Sequence, residues 1–224
     1  MKGHRAIMSQ LFRAVSICFL FLVLIVCGCQ STYYTVWEKL GKEKRHLLKS
    51  NVEKARTEQE EASEKFKDVL IRVKEIYGFK GGDLEKFYNN LKDDYDSCEN
   101  RAENVTKRIA QVEQIAGDLF KEWQNEINEM SNEKLKTRSR QSLRDTKKRY
   151  AKLRNAMINT KSKMVPVLRH LKDYVLYLKH NLNAQALGAL EGEVSEIETE
   201  VEALIRDMRK SISEADDFVK SLAE

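Results

Sequence analysis

Between Leu84 and Trp123 the apolar residues recur at alternating steps of three and four: Leu84, Tyr88, Leu91, Tyr95, Cys98, Ala102, Val105, Ile109, Val112, Ala116, Leu119 and Trp123. That spacing draws side chains into one stripe along an α-helix, the seam of helices that wrap around one another. It holds for more than five heptads without a slip. A helix this long with one apolar stripe is stable in water only if something apolar covers the stripe along its length.

The rest of the chain supplies the cover. A first segment carries Val52, Ala55, Gln59, Ala62, Phe66, Val69, Val73 and Ile76, and stops at Gly78-Phe79-Lys80-Gly81-Gly82. Glycine there allows the left-handed backbone that ends a helix, and Asp83 can cap the next one. The second segment fades after Met130, where Ser131-Asn132-Glu133 offers a turn and a new cap. A third carries Leu143, Tyr150, Leu153, Met157, Met164, Val167, Leu171, Leu178 and Leu182, with Pro166 expected to kink it by removing one backbone hydrogen bond. After Gly188 and Gly192, the residues Val194, Ile197, Val201, Leu204, Met208, Ala215, Val219 and Leu222 make a fourth. With one proline and nine glycines in 224 residues, the pattern predicts an all-α fold. It is an elongated antiparallel coiled coil or four-helix bundle, with helices at about 33–77, 84–130, 134–187 and 191–222. The longest, at roughly 45 residues, would measure about 65 to 70 Å.

Residues 1–28 differ from this pattern. Lys2, Arg5 and Arg13 precede an apolar run from Ala14 to Val26 that is shorter than the roughly 20 residues a membrane span needs, so it reads as a signal peptide. Its end, Val26-Cys27-Gly28-Cys29-Gln30, looks like a bacterial lipobox: Gly28 is the small residue before a lipid-accepting Cys29, whereas bulky Val26 disfavours Cys27. Residues 29–38 would then be anchor and tether, and 39–224 the helical domain. An uncleaved signal anchor is the alternative, and either reading places the domain outside the cytoplasm. Gln30 in place of Asp points to the periplasmic face of a Gram-negative outer membrane.

Cleavage would remove three of the 40 basic side chains and no acidic ones, leaving 37 against 35. Global charge therefore argues against nucleic acid as a partner. Cys18 and Cys27 would leave with the signal, and Cys29 would carry lipid. Cys98 would remain alone, on the seam, as a small buried hydrophobe.

Local charge is blocked. Basic residues gather at 39–56, including Lys42, Lys44 and Arg45, and at 134–154, including Arg138, Arg140, Arg144, Lys147, Lys148 and Arg149. Acids gather at 83–103 and from Glu191 to Glu202. In an up-down-up-down bundle the two basic blocks share the anchored end. They could meet anionic head groups, or be solvated faces paired with acids such as Glu122, Glu126 and Glu129.

Several stretches resemble a family of bacterial envelope lipoproteins classed only as a domain of unknown function, the DUF two-nine-five-nine group. They are Phe79-Lys80-Gly81-Gly82-Asp83-Leu84-Glu85, Arg108-Ile109 with Val112-Glu113, Leu119-Phe120-Lys121-Glu122-Trp123, Met164-Val165-Pro166-Val167-Leu168 and Leu178-Lys179-His180-Asn181-Leu182-Asn183-Ala184. The resemblance spans nearly all of the mature chain and implies a helical, lipid-anchored protein. It carries no catalytic residue with it.

No motif for metal, cofactor or catalysis emerges. His46, His170 and His180 lack a second histidine four residues away, and His170 with Asp173 reads as a surface pair. Gly81-Gly82-Asp83 places an acid where a phosphate would sit, and neither a nucleophile elbow nor a His-Glu-x-x-His motif is present. Asn104-Val105-Thr106 matches a glycosylation acceptor but lies mid-seam. The polar stretch Lys179–Ala184 is expected to hydrogen-bond across the bundle, to Tyr174 or Tyr177, or to hold a partner.

The sequence thus predicts a non-enzymatic envelope lipoprotein that acts as a structural or scaffolding coiled coil. It would be held to the membrane by lipid, with helical faces open to protein partners or self-association. The competing function is a helical module that binds nucleic acid or another polyanion through residues 134–154, which would require a cytoplasm-facing chain.

Overall fold

The computed structural model describes residues 44–78 and 83–223. The signal, Cys29, the tether, Lys42 and the glycine turn at 79–82 lie outside the described residues. Four long helices are present: α1 (Lys44–Lys74), α2 (Leu84–Glu129), α3 (Glu133–His180) and α5 (Val194–Ala223), with a short α4 (Ala184–Glu191) between the last two. Among the described residues every element is helical, and no helix is long and apolar enough to cross a membrane. The compact bundle is the unit from Leu47 onward.

Each long helix forms where the apolar stripe recurs, and each ends for a local reason. A 3-10 turn, Glu75–Gly78, tightens the end of α1. Asp83 caps α2 by accepting the Lys86 N–H at 2.9 Å. Asn132 caps α3, its side-chain oxygen accepting the N–H groups of Lys134 and Leu135 at 3.1 Å each. Pro166 lies inside α3, which continues as one helix through it.

The α3 helix ends at His180 rather than running on to 187. Asn181 is its C-cap, with its backbone N–H bonded to the Leu178 carbonyl at 3.1 Å and its side-chain amide donating to the Tyr177 carbonyl at 2.9 Å. Asparagine bonds its own backbone and so competes with helix continuation. The stretch from Lys179 therefore makes a helix terminus, and the Asn181 bond runs back along α3, not across the bundle. Gly188 falls inside α4, and the second break is at Gly192-Glu193.

Cross-helix ion pairs define the arrangement. Arg72 of α1 meets Asp94 of α2 at 3.1 Å, and Arg101 of α2 reaches Glu58 at 3.5 Å and also Glu61. Arg56 of α1 meets Asp216 of α5 at 2.9 Å, and Lys74 meets Glu198 at 2.6 Å. On the opposite side Arg154 of α3 pairs with Glu113 of α2 at 2.7 Å. Lys163 and His170 of α3 pair with Asp207 and Glu200 of α5, the latter at 2.8 Å. Every bridge joins antiparallel neighbours. The order around the bundle is α1, α2, α3, α5, up-down-up-down, with α1 facing α3 across the core. Such half-exposed pairs add little stability each, but each has its partner at only one register.

Stability comes from the interior. Every expected seam residue of the first segment, from Val52 to Ile76, is buried. So are Leu91 to Ala116 in α2, Leu143 to Leu178 in α3, and Val194 to Ala215 in α5 at the expected positions. Full burial of each Leu, Ile, Val or Phe stabilises by about 1.5 to 3 kcal/mol before entropy is counted. Cys98 is a free, fully buried thiol within this core.

Candidate interaction surface at the basic end

The end of the bundle that holds the α2–α3 turn is closed by an aromatic group drawn from three helices. Phe120 of α2 and Tyr150 of α3 meet edge-on with centroids 5.4 Å apart, and Tyr150 meets Phe218 of α5 at 5.8 Å. Burial and nearby Glu113 push the Tyr150 phenol up to about 12, against the opposing pull of Arg154.

Beyond this layer α2 and α3 run on together. The register set by His170–Glu200 and Lys163–Asp207 brings the last turn of α5 level with Lys147–Tyr150, so the first turns of α3 extend past it. Two contacts hold the extension as a hairpin. Trp123 donates its indole N–H to the Ser139 hydroxyl at 2.8 Å. The Lys136 ammonium caps α2 by donating to the carbonyls of Asn128 and Met130 at 3.3 Å each, where a cation complements the helix dipole. Leu135 continues the line of the core residues Thr146 and Leu153, yet it is 54% exposed because α5 has ended.

The basic residues of α3 divide by use. Arg154 pairs with Glu113, Lys147 stands 5.8 Å over the Phe120 ring, Arg149 reaches the Thr146 hydroxyl at 3.4 Å, and Arg144 bonds Gln141. Among the described residues, Lys134, Arg138, Arg140, Lys148 and Lys152 enter no ion pair. All five are exposed on the outer sides of α3.

The acidic blocks are engaged in part. Asp94 is bound by Arg72, Asp96 by Lys92 at 2.6 Å, Glu198 and Glu202 by Lys74, and Glu99 accepts the Tyr95 hydroxyl at 2.6 Å, whereas Glu85, Asp93, Glu191, Glu193 and Glu196 enter no ion pair among the described residues. Arg138, Arg140, Arg144, Lys147, Lys148 and Arg149 therefore share one stretch of α3. Within the bundle, which begins at Leu47, the basic residues of α1 share that end without merging into the patch, because α1 lies across the core from α3. Arg56 is engaged by Asp216, and Lys44 and Arg45 lie in the first turn of α1.

One surface feature escaped the sequence reading. Between α2 and α3 an open trough of about 350 Å³ is floored by Ala102, Met164 and Leu168, with Glu99, Glu103, Lys107 and Lys161 around it. Its only signal in the sequence was Val165 beside Pro166, which is 67% exposed. His170 turns to Glu200 of α5, not to Asp173. Among the described residues, no group of three metal-ligating side chains occurs.

Fold and surface together define an all-α bundle of four long antiparallel helices among the described residues, with a basic tip. The sequence from 33 to 222 matches the family model described as protein of unknown function DUF2959, and the chain belongs to that family. No curated protein matches the chain.

Proposed function

We propose that this protein is an exported, lipid-anchored helical spacer or scaffold of the cell envelope, attached through Cys29. The observation that supports the reading is how its polar chemistry is used. Charged side chains on all four edges of the bundle engage partners on neighbouring helices and hold four antiparallel helices at one register. At 46 and 48 residues, α2 and α3 each measure about 70 Å. A rigid helical body of that reach on an N-terminal lipid suits holding or spacing other envelope components.

The test has two readouts on protein from native membranes. Intact mass should show cleavage before Cys29 plus acyl groups, and Cys29→Ala should lose them. Cross-linking followed by purification should recover a defined partner complex or an oligomer. An unmodified full-length mass rejects the lipid anchor, and a strictly solitary monomer rejects the scaffold.

A further inference from the structure

We infer that the start of α3 is a foot that docks on an anionic lipid head-group surface. The inference rests on the anchored reading above and adds the surface that the anchored protein touches.

Three observations carry it. First, the charge there has no counter-ion within the bundle: Lys134, Arg138, Arg140, Lys148 and Lys152 enter no ion pair among the described residues, and all five are exposed. Second, the patch is amphipathic. Leu135 lies at the tip on the core-facing line of α3 but beyond the end of α5, flanked on the helix surface by Lys134 and Arg138. An exposed leucine flanked by cations matches an interface with apolar chains beneath anionic head groups.

Third, connectivity agrees. Within the bundle, which begins at Leu47, α1 runs from this same end, and Cys29 precedes α1 by 15 residues in the sequence, so a lipid on Cys29 would limit how far this end can move from the surface. A weak electrostatic contact becomes effective when a tether makes it intramolecular. Near a strongly anionic surface each such Lys or Arg strengthens binding about fivefold. Nucleic acid fits this surface less well, because no exposed aromatic is interleaved with the cations on which bases could stack.

The experiment uses the full chain, reconstituted into vesicles of phosphatidylcholine alone or with phosphatidylglycerol at about two to one. Flotation reports the anchor. Hydrogen exchange of peptides covering residues 128–142 reports the foot. Exchange there should slow by about an order of magnitude only in the phosphatidylglycerol vesicles, and return to the neutral-vesicle rate in about 1 M NaCl. The triple variant Arg138→Glu, Arg140→Glu, Lys148→Glu should float equally well and show no slowing. These side chains are exposed, so helicity should be unchanged, and the salt dependence of the unaltered chain stands as a test without any variant.

Exchange that is equal in the two vesicles overturns the foot even if the chain floats. Slowing by duplex DNA at 0.15 M salt, but not by anionic vesicles, overturns it in favour of a soluble polyanion. Failure to float with neutral vesicles is a failure of the anchor and leaves the exchange result to judge the foot separately.

Discussion

Gln59 of α1 and Thr160 of α3 lie on opposite helices of the bundle at the same level, and each leaves a fully buried oxygen without a hydrogen-bond partner. The Gln59 amide nitrogen is bonded to the Ala55 carbonyl at 3.2 Å, but its oxygen is not partnered. Ser211 of α5 adds a third such atom. The level follows from the bridges on either side: Gln59 lies three residues beyond Arg56, Thr160 three before Lys163, and Ser211 between their partners Asp216 and Asp207. The core thus carries a polar layer where the helical period alone calls for apolar residues.

Polar layers of this kind lower stability in exchange for a unique register. Thr160→Val and Ser211→Ala each remove an unsatisfied hydroxyl at little change of volume. Each should raise stability by about 1 kcal/mol in urea unfolding. A loss of 1 kcal/mol or more in both would mean that these hydroxyls are satisfied in solution, for instance by buried water.

The hairpin extension should be sensitive to the hydrogen bond between Trp123 and Ser139. Ser139→Ala leaves the half-buried Trp123 indole N–H without its acceptor. The expected cost is about 1 kcal/mol, with a shift in indole fluorescence once Trp37 is replaced by Phe so that Trp123 reports alone. An unchanged spectrum would show that water already replaces the serine.

Periodicity made most of the core legible, and its failures are instructive. The expected seam in α2 ran to Leu119 and Trp123, which are half-buried, while Phe120 and Ile127 are buried. A strict heptad drifts by roughly 20° per repeat against a 3.6-residue helix. Over more than five heptads the buried stripe therefore moves to the adjacent position. Each helix also faces two neighbours, so Phe87, Ile115 and Phe218 are buried beside the seam residues. Charge blocks were legible as blocks, but partnerships were not: His170 finds Glu200 thirty residues away, which depends on how α3 slides against α5. The free cations of α3 could be told from the engaged ones only once that register was known.

Alkaline pH should weaken the bundle in a definite window. Burial first, then Glu113, raises the Tyr150 phenol to about 12 from its ordinary 10. Burial likewise raises Tyr174, and burial with the Glu99 hydrogen bond raises Tyr95. A group raised in the folded state contributes stability that is complete below its unfolded value and is lost as pH climbs through the folded one. Stability should fall from about pH 10 to pH 12, and Tyr150→Phe should flatten part of that fall. An identical pH profile for the variant would exclude Tyr150 as a contributor.

Cys98 offers a direct measure of how often the core opens. Its thiol has no exposed surface, and burial raises its pKa far above the ordinary thiol range, with Asp94 and Asp68 adding to the shift. The reactive thiolate is therefore suppressed both by access and by protonation. Alkylation at residue 98, followed by peptide mapping at pH 8, should be slower than that of an unfolded control by the factor that separates folded from open chains. It should accelerate in step with urea unfolding. Destabilising the surrounding packing with Phe66→Ala, a cost of about 3 to 5 kcal/mol, should raise the rate by two orders of magnitude or more. Rapid alkylation of the unaltered chain in the absence of urea would show that α2 detaches locally from its neighbours, and would be incompatible with a rigid spacer.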